Sequence, residues 1–405
     1  MRELRSLCTA LFVSVLAVST LSAGPTEFTG KWELAIGNLG SSFRSCALKV
    51  ELRDGKIAGE LVWRWGSVQD IAGRARLSEK GTLLIEKGDF ATPLELRRVG
   101  NFLEGSTTIK DGNETKSVSV LGWPSREEPA AIGSWDLIAK TNEGEKSGKL
   151  RLWRHPGADA EVEVIGAEGQ AVTTKELAVA DDRVRFRFLL GDAEPEFLAT
   201  AKGMRLSGKV LTPNGDEIRI EGTRQLKHGA TVKLIPQNGL AGWKPREQGR
   251  NYGWTCENGV LTNGEHDVDI VSEREFQDFQ LHVEFKVAKG SNSGVYLRGR
   301  YEVQIQDDFG KPLESHGIGA IYSRAAPTKN AAKPADEWQT FDIALVGRWL
   351  TVKLNSETII DDVHIDGITG GAESPTESAP GPLMLQGDHG KISFRNIVVV
   401  PLVSP

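Results

Sequence analysis

The stretch Phe279-Gln280-Leu281-His282-Val283-Glu284-Phe285-Lys286-Val287 decides the fold class. Apolar and polar residues alternate through it, which is the period of a strand with one buried face and one wet face. A helix would scatter the same apolar side chains around a cylinder. Working outward, the period returns downstream in Tyr301-Glu302-Val303-Gln304-Ile305 and Trp349-Leu350-Thr351-Val352-Lys353-Leu354. It returns upstream in Ala47-Leu48-Lys49-Val50-Glu51-Leu52 and Arg183-Val184-Arg185-Phe186-Arg187-Phe188. Asp54-Gly55, Asp111-Gly112 and Asn214-Gly215 punctuate these runs as hairpin turns, whose two central residues need positive φ. The chain therefore reads as all-β from end to end.

Its 405 residues suggest two or three domains. Charged residues make up 26% and hydrophobic ones 39%, a balance that excludes a mostly disordered chain. The net charge of −6 leaves no electrostatic footprint for nucleic acid or an anionic membrane. Residues 1–23 read as a secretory signal peptide: Arg2 and Arg5, an apolar run from Leu7 to Leu21, then Ser22-Ala23 for cleavage. Export to the periplasm or the medium is the expectation. No later segment is long and apolar enough for membrane insertion. Beyond the leader, Cys46 and Cys256 are too few for a disulfide framework or a thiolate zinc site.

The region after the leader resembles itself at one offset. Gly30-Lys31-Trp32-Glu33-Leu34 aligns with Gly133-Ser134-Trp135-Asp136-Leu137, and Leu83 and Ile85 align with Phe186 and Phe188. Gly100, Leu103 and Gly105 align with Gly203, Leu206 and Gly208, again 103 positions on. The spacing predicts two small antiparallel β-barrels or sandwiches, 24–123 and 131–226, each with its own core. Trp32 and Trp135 open the copies, either as sugar platforms or as core residues closing a barrel end. His155 is the only His in this region, which makes it a poor place for acid–base chemistry.

Residues 232–403 hold five of the seven His residues and a second set of alternating runs, which predicts two packed sheets. Glu302 and Gln304 share one strand face, and Arg298 joins them if the strand is unbroken. Gln386-Gly387-Asp388-His389-Gly390 places an imidazole beside a carboxylate between glycines, an arrangement for an oriented general base or a metal ligand. Tyr322 is a candidate for stacking on, or hydrogen bonding to, a sugar.

An ordered series of motifs in this segment resembles the 3-keto-disaccharide hydrolase domain family. It includes Gly242-Trp243, Asn292-Ser293-Gly294-Val295-Tyr296-Leu297-Arg298, Tyr301-Glu302-Val303-Gln304-Ile305, Gly319-Ala320-Ile321-Tyr322, Leu385-Gln386-Gly387-Asp388-His389-Gly390 and Phe394-Arg395-Asn396-Ile397. Asp336 and Ser356 stand where the family usually has Gly. The resemblance implies a concanavalin-like jelly roll and an oligosaccharide or glycoside substrate already oxidised to a ketone at C3. It implies His389 and Glu302 as catalytic residues, acting by abstraction of the C2 proton, elimination and hydration. Arg298, Gln304, Tyr322, Gln386 and Asn292 are then the substrate-binding set. The cofactor is open; a divalent cation on Asp307 and Asp388 is the candidate. Two other readings remain at this point: a non-catalytic, lectin-like carbohydrate-binding protein, and a conventional two-carboxylate glycosidase.

Overall fold

A computed structural model describes residues 24–37, 44–63, 67–87, 90–111, 114–125, 129–154, 159–180, 182–247, 253–264 and 267–403. The leader, His155 and His266 lie outside the described residues. The fold is all-β. The first nine-stranded antiparallel sheet runs from Gly30–Ile36 to Glu114–Pro124, and these two strands pair at its centre. A second nine-stranded sheet, from Gly133–Thr141 to Glu217–Gln225, has the same strand order. Each encloses a separate apolar core.

Trp32 and Trp135 are core residues, not platforms. Trp32 Nε1 donates to Phe28 O at 2.8 Å and Trp135 Nε1 to Ala131 O at 2.9 Å. A guanidinium closes each ring from outside, Arg98 at 4.7 Å and Arg224 at 4.2 Å. Cys46 and Cys256 are buried in different cores.

The C-terminal part is a two-sheet jelly-roll sandwich. Its larger, nine-stranded sheet includes Asp278–Val287, Gln339–Val346, Trp349–Leu354, Glu357–His364 and the long last strand Ile392–Val403. Lys227–His228, between the second repeat and the sandwich, pairs with Leu402 and Val403 of that strand. The smaller sheet has the order Trp243–Pro245, Ile270–Phe276, Gly381–Leu385, Asn292–Leu297, Tyr301–Gln306. Phe279, Leu281, Val283 and Phe285 of the opening stretch face Val295, Tyr301, Val303 and Leu385 across the shared core. Alternation turns the other residues of the smaller sheet, Tyr296, Glu302, Gln304 and Met384, onto its opposite face. That face carries the candidate site.

The first barrel docks on loops of the sandwich. Asp366 takes Lys31, Lys49 and Arg348. Glu60 takes Arg324 at 2.7 Å, and Val62 packs on Ile368 and Ala372.

Candidate functional site

The register fixes the arrangement. Asn292 lies opposite Gln306, Gly294 opposite Gln304 and Tyr296 opposite Glu302. Period-two alternation then puts all six on one face. Gly294 is there for space. A Cβ at that position would lie 2.9 Å from Glu302 Cγ and 3.0 Å from Cδ, and closer still to Oε1. The absent side chain is the pocket that receives the Glu302 carboxyl.

Glu302 is 3% exposed. Burial is the main reason its pKa is pushed up to about 8. The charges of Asp269 and Asp388 push the same way, while the Tyr296 hydrogen bond and His389 oppose them. Hydrogen-bond accounting agrees. The Tyr296 hydroxyl lies 2.8 Å from Glu302 Oε2 and 3.0 Å from Gly370 O. One phenol proton serves only one of two acceptors. A neutral Glu302 supplies the second proton: it donates to Tyr296, and Tyr296 donates to Gly370 O. Burial and the Glu302 charge hold the Tyr296 hydroxyl itself well above the usual phenol range.

His389 sits on the loop after Gly381–Leu385, half exposed. Its Nδ1 is bonded to Asp388 Oδ1. That bond is the main reason its pKa rises, and the charges of Asp388, Glu302 and Asp269 add to it. The partner on Nδ1 orients the ring and leaves Nε2 as the reactive nitrogen. Asn292 N–H donates to His389 O at 3.3 Å, so the strand and this loop are tied at one end of the face.

Gln304 and Gln386 flank Gly294. Gln386 N–H donates to Gly294 O at 3.0 Å. The Oε1 atoms of both Gln side chains are buried, and among the described residues no protein donor reaches them. Such acceptors are costly unless something supplies a proton; sugar hydroxyls are of the right chemistry. Asn292 Nδ2 and Gln304 Nε2 share Gln306 Oε1, at 3.5 and 3.3 Å.

Arg298 does not join this set. The strand breaks: Arg298 and Gly299 form the turn between Leu297 and Tyr301, with φ of 52° and 65°. The Arg298 guanidinium donates to Gly347 O and lies over the Tyr301 ring. It lines a cavity of about 640 Å³ beneath the second barrel, with Asp278, Arg348 and Trp349. Asp307 is likewise structural, its Oδ2 accepting Gly290 N–H at 3.0 Å. Asp388 is committed to His389. Among the described residues no three His, Cys, Asp or Glu side chains gather where a metal ion would sit, so the residues present do not fit the expected Asp307–Asp388 cation site. Arg395 forms an ion pair with Glu284 on the larger sheet and lies against Trp338, away from the site.

Three contributors were not evident from local sequence. Tyr296 belongs by register. Asp269 accepts Gly387 N–H at 3.1 Å and so holds the Asp388–His389 loop. Arg246, just after the edge strand Trp243–Pro245, binds Asp269 and Glu373, both at 3.0 Å.

Comparison with known proteins bears on the sandwich. A glycosyl hydrolase structure from Parabacteroides distasonis, provisionally so named, is 28% identical, with a TM-score of 0.38, over 44% of this chain and 91% of that one. Another from the same organism is 26% identical, with a TM-score of 0.35, over 43% of this chain and all of that one. A laminarinase from Flavobacterium sp. UMI-01 is 10% identical, with a TM-score of 0.29, over 43% of this chain and all of that one. No curated protein matches the chain. Residues 230–400 match the model of the 3-keto-alpha-glucoside-1,2-lyase-like domain.

Proposed function

We propose that the sandwich cleaves glycosides that carry a ketone at C3, and that it does so after export of the protein. The observation that carries this reading is the pairing, on one sheet face, of a neutral buried carboxyl, Glu302, with an oriented half-exposed imidazole, His389. A carboxyl pushed up by burial and an imidazole raised by its carboxylate partner suit general acid–base work.

The ketone acidifies the hydrogen on C2. Neutral His389 takes that proton through Nε2, with Asp388 stabilising the imidazolium that forms. The C–H electron pair moves onto the ketone oxygen as an enolate. Glu302 meets this charge by turning its Oε2–H from Tyr296 toward the enolate oxygen, while Tyr296 keeps donating to Gly370 O. The enolate re-forms the ketone and expels the oxygen at C1, which takes the proton from His389. Water then adds across C1 and C2, hydroxyl to C1 and hydrogen to C2, so the net reaction is hydrolysis. The amide oxygens of Gln304 and Gln386 accept from ring hydroxyls.

The test is release of the C1 group from a 3-keto-glucoside and from its unoxidised parent. Release from the keto form alone is expected. Release from both would point to a conventional glycosidase, and binding without release would point to a lectin-like protein. His389→Ala should abolish release while leaving the circular-dichroism spectrum unchanged.

A further inference from the structure

The chain after Gln306 returns alongside the Glu302 strand. Gly319 N–H donates to Gln304 O at 2.8 Å, Gln304 N–H to Ala320 O at 2.9 Å, and Tyr322 N–H to Glu302 O at 3.0 Å. Ile321 bridges Val303 and is buried in the sandwich core. Alternation therefore turns Tyr322 onto the face of Glu302 and Gln304. Its half-buried ring meets His316 edge to face, with centroids 4.7 Å apart.

His316 is held from two domains. Its Nδ1 lies 3.1 Å from Ser315 Oγ in its own loop, and its Nε2 lies 2.7 Å from Ser67 Oγ in the first barrel. A hydroxyl on each nitrogen fixes the ring plane, and the ring in turn fixes Tyr322. The neighbouring contacts make this docking firm. Val68 N–H donates to Ser323 Oγ at 2.8 Å, and Arg324 reaches Glu60. The barrel is thus joined to the loop that edges the site.

Across the smaller sheet, the Arg246 ion pairs with Asp269 and Glu373 lie beside the edge strand Trp243–Pro245, and Tyr322 lies beyond the opposite edge strand Tyr301–Gln306. A C1 substituent directed toward the second edge runs away from those ion pairs. There it meets an oriented aromatic ring beside the unpartnered Gln304 amide oxygen, a surface that stacks a sugar's apolar side and accepts from its hydroxyls.

We propose that Ser67, His316 and Tyr322 form a wall, built across two domains, that binds the leaving sugar of a 3-keto-disaccharide. This rests on the reading that the sandwich cleaves 3-keto-glycosides. Tyr322 contacts the leaving sugar; Ser67 and His316 are positioning residues. The first barrel then sets which leaving group is accepted.

The experiment compares a 3-keto-disaccharide with methyl 3-keto-glucoside, whose leaving group is too small to reach the wall. Ser67→Ala and His316→Phe should each raise KM for the disaccharide about five- to tenfold, the worth of one lost hydrogen bond, with kcat little changed. Both should act on the methyl glycoside as the unaltered protein does. Ser67→Thr, which keeps the hydroxyl, should restore disaccharide KM. An equal effect on both substrates, or none on either, would overturn the wall alone. Failure of the unaltered protein to cleave either substrate would overturn the functional reading and the wall with it.

Discussion

Gly294→Ala tests the site's architecture at one atom. The backbone at Gly294 is ordinary, so strain does not enter; the added methyl meets Glu302 directly. At 2.9 Å from Cγ it is about 0.5 Å inside ordinary contact, which begins at 3.4 Å, and the Oε1 overlap is greater. Glu302 is 3% exposed and must swing out of line, breaking its 2.8 Å contact with Tyr296. Overpacking of this kind costs about 2 kcal/mol. For a unit of this size that lowers Tm by roughly 4–8 °C. A misplacement approaching 1 Å at a reacting group costs on the order of a hundredfold in rate. Thermal unfolding and kcat on a 3-keto-glucoside read the two effects separately. Gly264→Ala, whose Cβ would find its nearest neighbour at 3.8 Å, serves as control. If Gly294→Ala matches the control in both Tm and kcat, the Glu302 carboxyl does not occupy the space above Gly294 and the reasoning fails.

Further predictions follow from charge. Glu302 binds its proton more tightly folded than unfolded, so its contribution to stability falls as pH rises from about 4.5 toward 8. Glu302→Gln should therefore abolish turnover yet raise Tm relative to the unaltered protein at pH 8–9, measured by calorimetry across pH. Asp366 has the opposite sign: hydrogen bonds and charge from Lys31 and Lys49 outweigh its burial and hold its pKa well below the usual range. Its stabilisation is present above the ordinary carboxylate pKa and is lost as pH falls. Asp366→Asn should loosen the first barrel at neutral pH and flatten the acid limb of a limited-proteolysis profile. In the catalytic pH profile, activity should rise as His389 loses its proton, above the ordinary imidazole value, and fall as Glu302 ionises near pH 8.

Much of the site was legible in the sequence because alternation is a local signal. Tyr301-Glu302-Val303-Gln304 gave two site residues on one face from spacing alone, and Gly387 and Gly390 marked the loop that presents His389. Arg298 failed for an equally local reason. Gly299, lying between two alternating runs, marks a hairpin turn, and a face cannot be extrapolated through one. Tyr296 needed the strand register, which spacing within one strand does not contain. Asp269 and Arg246 reach the site from a neighbouring strand and the segment before it, and only the folded sheet brings them to Gly387 and Glu373. Ser67 is more remote still, since it arrives from another domain. Trp338 lies half-buried, with the Lys286 ammonium and the Arg395 guanidinium over its ring.

The central claim is that the C2 proton is removed before the C1 bond breaks. It is tested most directly by running the reaction on a 3-keto-glucoside carrying deuterium at C2. The account predicts a primary isotope effect on kcat/KM, on the order of several-fold, and exchange of the C2 label with solvent in the product. Cleavage at an unchanged rate with the label retained would contradict it.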